Sequence, residues 1–254
     1  MTSTQEGTGL NVTYDFTGRT VVITGAGRGI GLAAARFFHA ARAVVCLVGR
    51  DGARLKEVAD SLDGARFAEV DVTRTSEVEG LVSDIVSDTG RIDILINNAG
   101  ILRDRMLWNL TDDDWDSVLA VHLGGPFRFI RACTPHFRKQ HFGRVVNVTS
   151  YAGIHGNVGQ TAYAAAKSGI IGLTKTAAKE LVRFGVTVNA ISPVAETRMI
   201  TSLPDEQRDR LRSIIPAGYF APTSDIAWAL AYLASDQAGY VTGTVLPVDG
   251  GMSI

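Results

Sequence analysis

Cysteine is nearly missing from this chain: Cys46 and Cys133 are the only two in 254 residues. One falls in an expected strand and the other in an expected helix, so neither a disulfide framework nor a thiolate metal site organises the fold, and a reduced compartment is expected. Charge of one sign is missing too. A formal net charge of −1 and a pI of about 6.5 leave no basic footprint for nucleic acid or for an anionic membrane surface. No apolar run is long enough to span a bilayer. Residues 1–15 are polar, carry Gly7 and Gly9 and contain no apolar stretch, so they read as a flexible lead-in and not as a signal peptide. Internal repeats, low-complexity tracts and linkers are absent. The densest charge run, 205–212, reads as a solvated helix face.

What the chain has is apolar material for one core, with 46% hydrophobic residues and a mean hydropathy of +0.12. Short β-branched runs at 20–24, 43–48, 66–70, 92–96, 144–148, 186–191 and 243–248 alternate with helical stretches. The runs are nearly continuous in apolar residues and the connections are long enough for helical crossovers. This predicts a Rossmann-type, doubly wound α/β fold with a parallel seven-stranded sheet, in a single domain over 16–254. Ligands of such sheets bind beyond the carboxyl ends of the strands, where this sequence places Thr24-Gly25, Arg50, Asp71, Asn97-Asn98, Thr149-Ser150 and Ser192-Pro193.

The first strand candidate runs into Gly25-Ala26-Gly27-Arg28-Gly29-Ile30-Gly31, and the alanine-rich segment Leu32 to Arg42 follows as a helix. Strand, glycine turn and helix in that order are what a dinucleotide-binding loop requires. Gly25 permits the tight turn, Gly29 lets backbone approach a pyrophosphate, Gly31 lets helix pack on strand, and the helix start offers free N–H groups to phosphates. Further along, Tyr163 and Lys167 stand one turn apart on one helix face, with Ser150 thirteen positions before Tyr163. A phenol of pKa about 10 is a poor acid-base group at neutral pH, but a neighbouring ammonium and a cationic nicotinamide favour its phenolate. No G-x-S-x-G elbow surrounds Ser150, so a serine-hydrolase reading of it has no support.

Taken together, Thr24 to Gly31, Asn97-Asn98-Ala99-Gly100, Ser150 with Tyr163 and Lys167, and Pro247 to Gly251 resemble the motifs of the short-chain dehydrogenase/reductase family, from about residue 15 to the C-terminus. The resemblance implies that Tyr163 donates the proton, that Lys167 lowers its pKa and anchors the nicotinamide ribose, and that Ser150 holds the carbonyl oxygen. An oxyanion donor of that kind is worth roughly 3–4 kcal/mol. It further implies cofactor contacts from Gly25, Arg28, Gly29, Ile30, Gly31, Asp71, Val72, Asn98, Ala99 and Gly100, and from Thr197 to the carboxamide. An N-cap is the alternative role for Asp71, and Asn97 is structural. Two departures stand out. Pro193-Val194 replaces the family's usual Pro-Gly, and His122 occupies the place of an asparagine that binds a proton-relay water, twenty-eight positions before Ser150. A titrating His122 would make the rate sensitive to pH near 6.5.

Cofactor choice turns on the end of the second strand. NAD-using relatives carry an aspartate where this chain has Gly49, followed by Arg50, with Arg28 in the glycine loop. Two guanidinium groups suit a 2′-phosphate, so NADP(H) is favoured and NAD(H) remains possible, since Asp51 can pair with Arg50. The stretch 97–199 resembles 3-oxoacyl-(acyl-carrier-protein) reductases and (3R)-hydroxyacyl-CoA dehydrogenase domains, which implies an acyl thioester substrate. The apolar set Met199, Ile200, Leu203, Ile214, Ile215, Tyr219 and Phe220 suits an acyl chain and equally a steroid or terpenoid ketone. His155 and Gln160 either face the substrate or serve turns and packing. The resemblance also implies a cytoplasmic homotetramer joined through helices 112–138 and 161–184. No metal site is expected.

Overall fold

The computed structural model describes residues 12–201 and 204–254. Met199 and Leu203, named above as part of a substrate cover, lie outside the residues whose side chains are described, as do residues 1–11. Seven strands, β1 (Thr20–Thr24), β2 (Val44–Gly49), β3 (Arg66–Glu69), β4 (Ile94–Asn97), β5 (Gly143–Val148), β6 (Val186–Pro193) and β7 (Val245–Val248), form one sheet in the order β3-β2-β1-β4-β5-β6-β7. Every neighbouring pair is parallel, with Val22 opposite Cys46 on one side and Leu95 on the other. The helices are α1 (Gly29–Ala40), α2 (Gly52–Asp60), α3 (Thr75–Thr89), α4 (Asp112–Leu119), α5 (Gly125–Gln140), α6 (Tyr151–His155), α7 (Thr161–Leu181), α8 (Arg198–Thr201), α9 (Asp205–Ser213) and α10 (Thr223–Ala234).

Alternate strand residues face alternate cores, because successive side chains of a strand point to opposite faces. Val21, Ile23, Leu47, Ile94 and Val146 pack on Ala34, Phe38, Leu55 and Leu230 of α1, α2 and α10. Val22, Cys46, Leu95, Val145 and Val188 pack on Val82, Phe129, Phe137 and Leu181 of α3, α5 and α7. Both cysteines are buried in the second layer, where desolvation pushes each thiol up to about 12, so they are inert packing groups.

Four local differences from the sequence reading have physical causes. α1 begins at Gly29, three residues earlier than the alanine-rich run. β4 begins at Ile94, just after fully buried Asp93, whose carboxylate accepts from the Thr20 N–H (2.9 Å), Arg19 (3.1 Å) and Arg91 Nε (2.8 Å). The stretch 112–138 is interrupted: α4 and α5 are separated by a π-helical turn at Ala120–Gly124, just before Pro126, whose ring nitrogen has no proton for the ladder. Tertiary contacts also start before residue 16. Tyr14 packs against Phe37 and Trp228 (centroids 6.2 and 5.8 Å), and Asp15 ion-pairs with Arg42. The charged run 205–212 does form a helix without buried residues, α9, laced by Arg208–Asp205 and Arg212–Asp209 pairs.

Candidate active site

The carboxyl ends of β1 and β4 are joined by one side chain on each. Thr24 Oγ1 accepts from the N–H groups of Asn98 (2.9 Å) and Ala99 (3.0 Å), while Asn98 Nδ2 donates to the carbonyls of Thr24 (3.0 Å) and Gly25 (3.2 Å). Asn98 therefore holds the glycine loop itself. Gly25 has φ +68°, and a Cβ there would meet Ala99 Cα at 2.9 Å; a Cβ on Gly31 would stand 2.3 Å from the Gly25 carbonyl oxygen. Only glycine permits this approach of helix to turn. Arg28 at the N-cap of α1 makes no side-chain bond to the first-turn N–H groups, which stay free for an anion. Ile30 packs beneath, on the α1 side of the core.

Beside the loop opens a cavity lined by Gly25, Arg50, Asp71, Val72, Ala99 and Gly100. Burial pushes the Asp71 carboxyl up, but Thr73, donating to it from N–H (2.9 Å) and Oγ1 (2.8 Å), outweighs this with help from Arg50 and Arg74 and holds it below the usual carboxylate range. Asp71 is thus an ionised acceptor on the cavity wall that also ties down its own turn. Asp51 caps α2 by accepting from the Arg54 N–H (3.1 Å) and pairs with Arg28 (2.8 Å), not with Arg50 as the sequence suggested. Thr197 stands across the loop, its Cγ2 3.9 Å from where a Gly29 Cβ would be. A loop that excludes side chains, free helix N–H groups, an arginine and an ionised acceptor fit an adenine dinucleotide.

The reacting groups lie where β5 ends. Ser150 caps α6 with its Oγ, accepting from the Ala152 N–H at 3.2 Å. On α7, Lys167 is buried; its Nζ lies 5.5 Å from the Tyr163 ring centroid and donates to the Val148 carbonyl at 2.6 Å. Desolvation pulls the ammonium down to about 7. Burial pushes the Tyr163 phenol up, a hydrogen bond with Ser150 counters this, and Asp104 adds to the rise. The lowering influence on the phenol comes from its bond with Ser150, while the Lys167 charge is itself expensive to keep at this depth.

His122 lies in the π turn, buried, with its ring edge against the Tyr163 ring at 5.0 Å between centroids. Its Nε2 sits 2.7 Å from the Ile101 carbonyl oxygen and 3.0 Å from the Ile101 N–H, while Nδ1 is buried without a partner among the described residues. Desolvation first, then the Lys167 charge, drive its pKa down to about 3 against the opposing bond to Ile101. The ring is neutral throughout the physiological range, which corrects the expectation of titration near 6.5.

A family model described as "Enoyl-(Acyl carrier protein) reductase" matches residues 25–253. The chain belongs to the short-chain dehydrogenase/reductase family. It is 42% identical to the 3-oxoacyl-[acyl-carrier-protein] reductase of Thermotoga maritima over 248 residues, covering 93% of this chain and 98% of that protein. Identity to Nodulation protein G of Rhizobium sp. is 39% (95% of this chain, 99% of that protein), and to the 3-oxoacyl-[acyl-carrier-protein] reductase of Escherichia coli 38% (94% and 98%). As a member of this family the protein is an oxidoreductase that uses a nicotinamide cofactor on a hydroxyl or keto carbon.

The fold brings Ser150, Tyr163, Lys167 and His122 into one cluster at the mouth formed by β4 and β5. Asn97, expected to be structural, donates to Asn147 Oδ1 (2.8 Å), and Asn147 Nδ2 donates to Thr174 Oγ1 (2.9 Å). Gln160 donates to Asp104 (2.9 Å) and so joins the loop after β4 to the start of α7; His155 stacks on Tyr151 at 4.4 Å. Three participants were missed in the sequence. Val148 acts through its carbonyl, Thr149 through a hydroxyl donated to the Lys167 carbonyl (2.7 Å), and Ile101 through its backbone beneath His122. Backbone partners leave no residue-type signature, and Thr149 was legible only as the neighbour of Ser150.

Proposed function

We propose that this protein reduces the 3-oxo group of an acyl thioester, of the 3-oxoacyl-(acyl-carrier-protein) or 3-hydroxyacyl-CoA type, with NADPH. The observation that carries this reading is identity of about 40% over nearly the whole chain to proteins named for that reaction. The nicotinamide cofactor supplies a hydride when bound. Ser150 holds and polarises the carbonyl oxygen, Tyr163 delivers a proton to that oxygen as it becomes an alkoxide, and Lys167 lowers the phenol's pKa and holds the ribose. His122 orders the water that replaces the proton, through its one unpartnered nitrogen. Placing these groups in one crevice removes much of the entropic barrier.

Arg50 is the guanidinium we assign to a 2′-phosphate, because Arg28 is already paired with Asp51. Gly25, Gly29, Ile30 and Gly31 cradle the pyrophosphate, Asp71 and Val72 take the adenine, Asn98, Ala99 and Gly100 line the ribose floor, and Thr197 holds the carboxamide. Residues 16–254 act as the catalytic domain, in a cytoplasmic homotetramer joined through α4, α5 and α7. No helix among the described residues is long and apolar enough to cross a membrane. Absorbance decay with acetoacetyl-CoA and NADPH, then NADH, tests the proposal. Turnover with NADPH that Tyr163→Phe reduces by roughly 100-fold or more is expected. Preference for NADH would sink the Arg50 assignment; turnover of crotonyl-CoA alone would turn the reading to the carbon–carbon double bond of the matched family's description, and turnover of steroid or terpenoid ketones alone to a different secondary alcohol.

A further inference from the structure

The distance between the helix that starts at Ser150 and the helix that carries Tyr163 and Lys167 is set at one glycine. A Cβ on Gly153 would lie 2.7 Å from the carbonyl carbon of Lys167 and 3.0 Å from its oxygen, and these are backbone atoms that cannot turn aside. At the same point Ser168 Oγ donates to the Gly153 carbonyl at 2.6 Å. Just before α6, Thr149 Oγ1 donates to the Lys167 carbonyl (2.7 Å), and Lys167 Nζ donates to the Val148 carbonyl (2.6 Å). Residues 148–153 are thereby fastened to 167–168 on both sides of Ser150. α6 has only five residues, too few to hold a position by its own helical stability, so docking alone decides where the Ser150 hydroxyl stands.

We propose that Gly153 is a positioning residue: its missing side chain lets α6 seat on α7 and so fixes the Ser150 hydroxyl against the Tyr163 phenol. The inference rests on the reading of Ser150, Tyr163 and Lys167 as the reacting set. Gly153→Ala must push α6 away from Lys167, and a displacement of that size matters because reacting groups tolerate little misplacement.

The test measures kcat and KM with acetoacetyl-CoA and NADPH, NADPH affinity by fluorescence, and the melting temperature, for Gly153→Ala alone and on Ser150→Ala. The expected result is a kcat lower by roughly tenfold or more, NADPH affinity within about twofold of the parent, and no further loss when Gly153→Ala is added to Ser150→Ala. Full turnover in folded Gly153→Ala, or equal losses in both backgrounds, overturns the proposal alone; full turnover in Ser150→Ala overturns the underlying assignment with it. Should Gly153→Ala not fold, Ser168→Ala asks the same question: a lowered kcat that vanishes on Ser150→Ala supports the seat, and unchanged kcat overturns it. Gly80→Ala, exposed in mid-α3 with nothing within 4 Å of the added Cβ, is the control and keeps the parent kcat.

Discussion

His122 and Lys167 show how burial decides what a titratable side chain can do. The unfolded chain takes a proton on His122 near 6.5, whereas the folded ring refuses one until about 3. In that window the unfolded state binds more protons, so His122 makes the protein lose stability as pH falls, by at most about 1.4 kcal/mol per unit. His122→Asn is expected to flatten urea stability between pH 4.5 and 6.5 and to leave the pH–rate profile from 6 to 7 unchanged. A profile that shifts would contradict a neutral ring. For Lys167 the folded value is about 7 against 10.5 when unfolded, so its contribution to stability grows as pH rises through that interval. Lys167→Met should remove that rise, measured by urea titration at pH 7 and 9.5. The positions of both residues were legible in the sequence, because the spacing between motifs placed them. Their ionisation was not, because it depends on what covers them: Ile101 and the end of β5 come from distant parts of the chain.

Among the elements, strands were the most legible, since β-branched runs bounded by polar residues leave few other readings. The π turn was hidden. Ala120-Val121-His122-Leu123-Gly124 continues the apolar rhythm of a helix, and one extra residue in a turn alters no composition. The turn nevertheless delivers His122 to Ile101, so an irregularity in the element is what positions the residue. In α3 the opposite applies to Gly80, an exposed glycine in mid-helix with open space around its Cα. Gly80→Ala is expected to stabilise the protein by about 0.5–1 kcal/mol, seen as a higher urea midpoint at unchanged slope.

At the scale of the molecule, binding and stability occupy opposite ends of the sheet. The carboxyl ends of the strands carry the cavity and the reacting groups, while the amino ends carry Asp93 with Arg19 and Arg91, and buried Arg144, which donates to the carbonyls of Ser235 (3.1 Å), Gly143 (2.9 Å) and Gly185 (3.1 Å). Asp93→Ala leaves the buried Thr20 N–H without its acceptor and unpairs Arg91, while Arg19 keeps Asp236 (3.2 Å); with both arginines partly open to water, the expected cost is about 1–3 kcal/mol by chemical denaturation while kcat per folded molecule holds. The fold class was legible from alternating elements and glycine motifs; strand order was not, because the apolar runs of the strands look alike. That order also has a consequence for synthesis. β1 pairs with β2 on one side and with β4 on the other, so a nascent chain that has produced only its first three strands presents β1 as a raw apolar edge until residues 94–97 emerge. The interval before β4 arrives is when this protein is most exposed to aggregation, and when a chaperone would matter most.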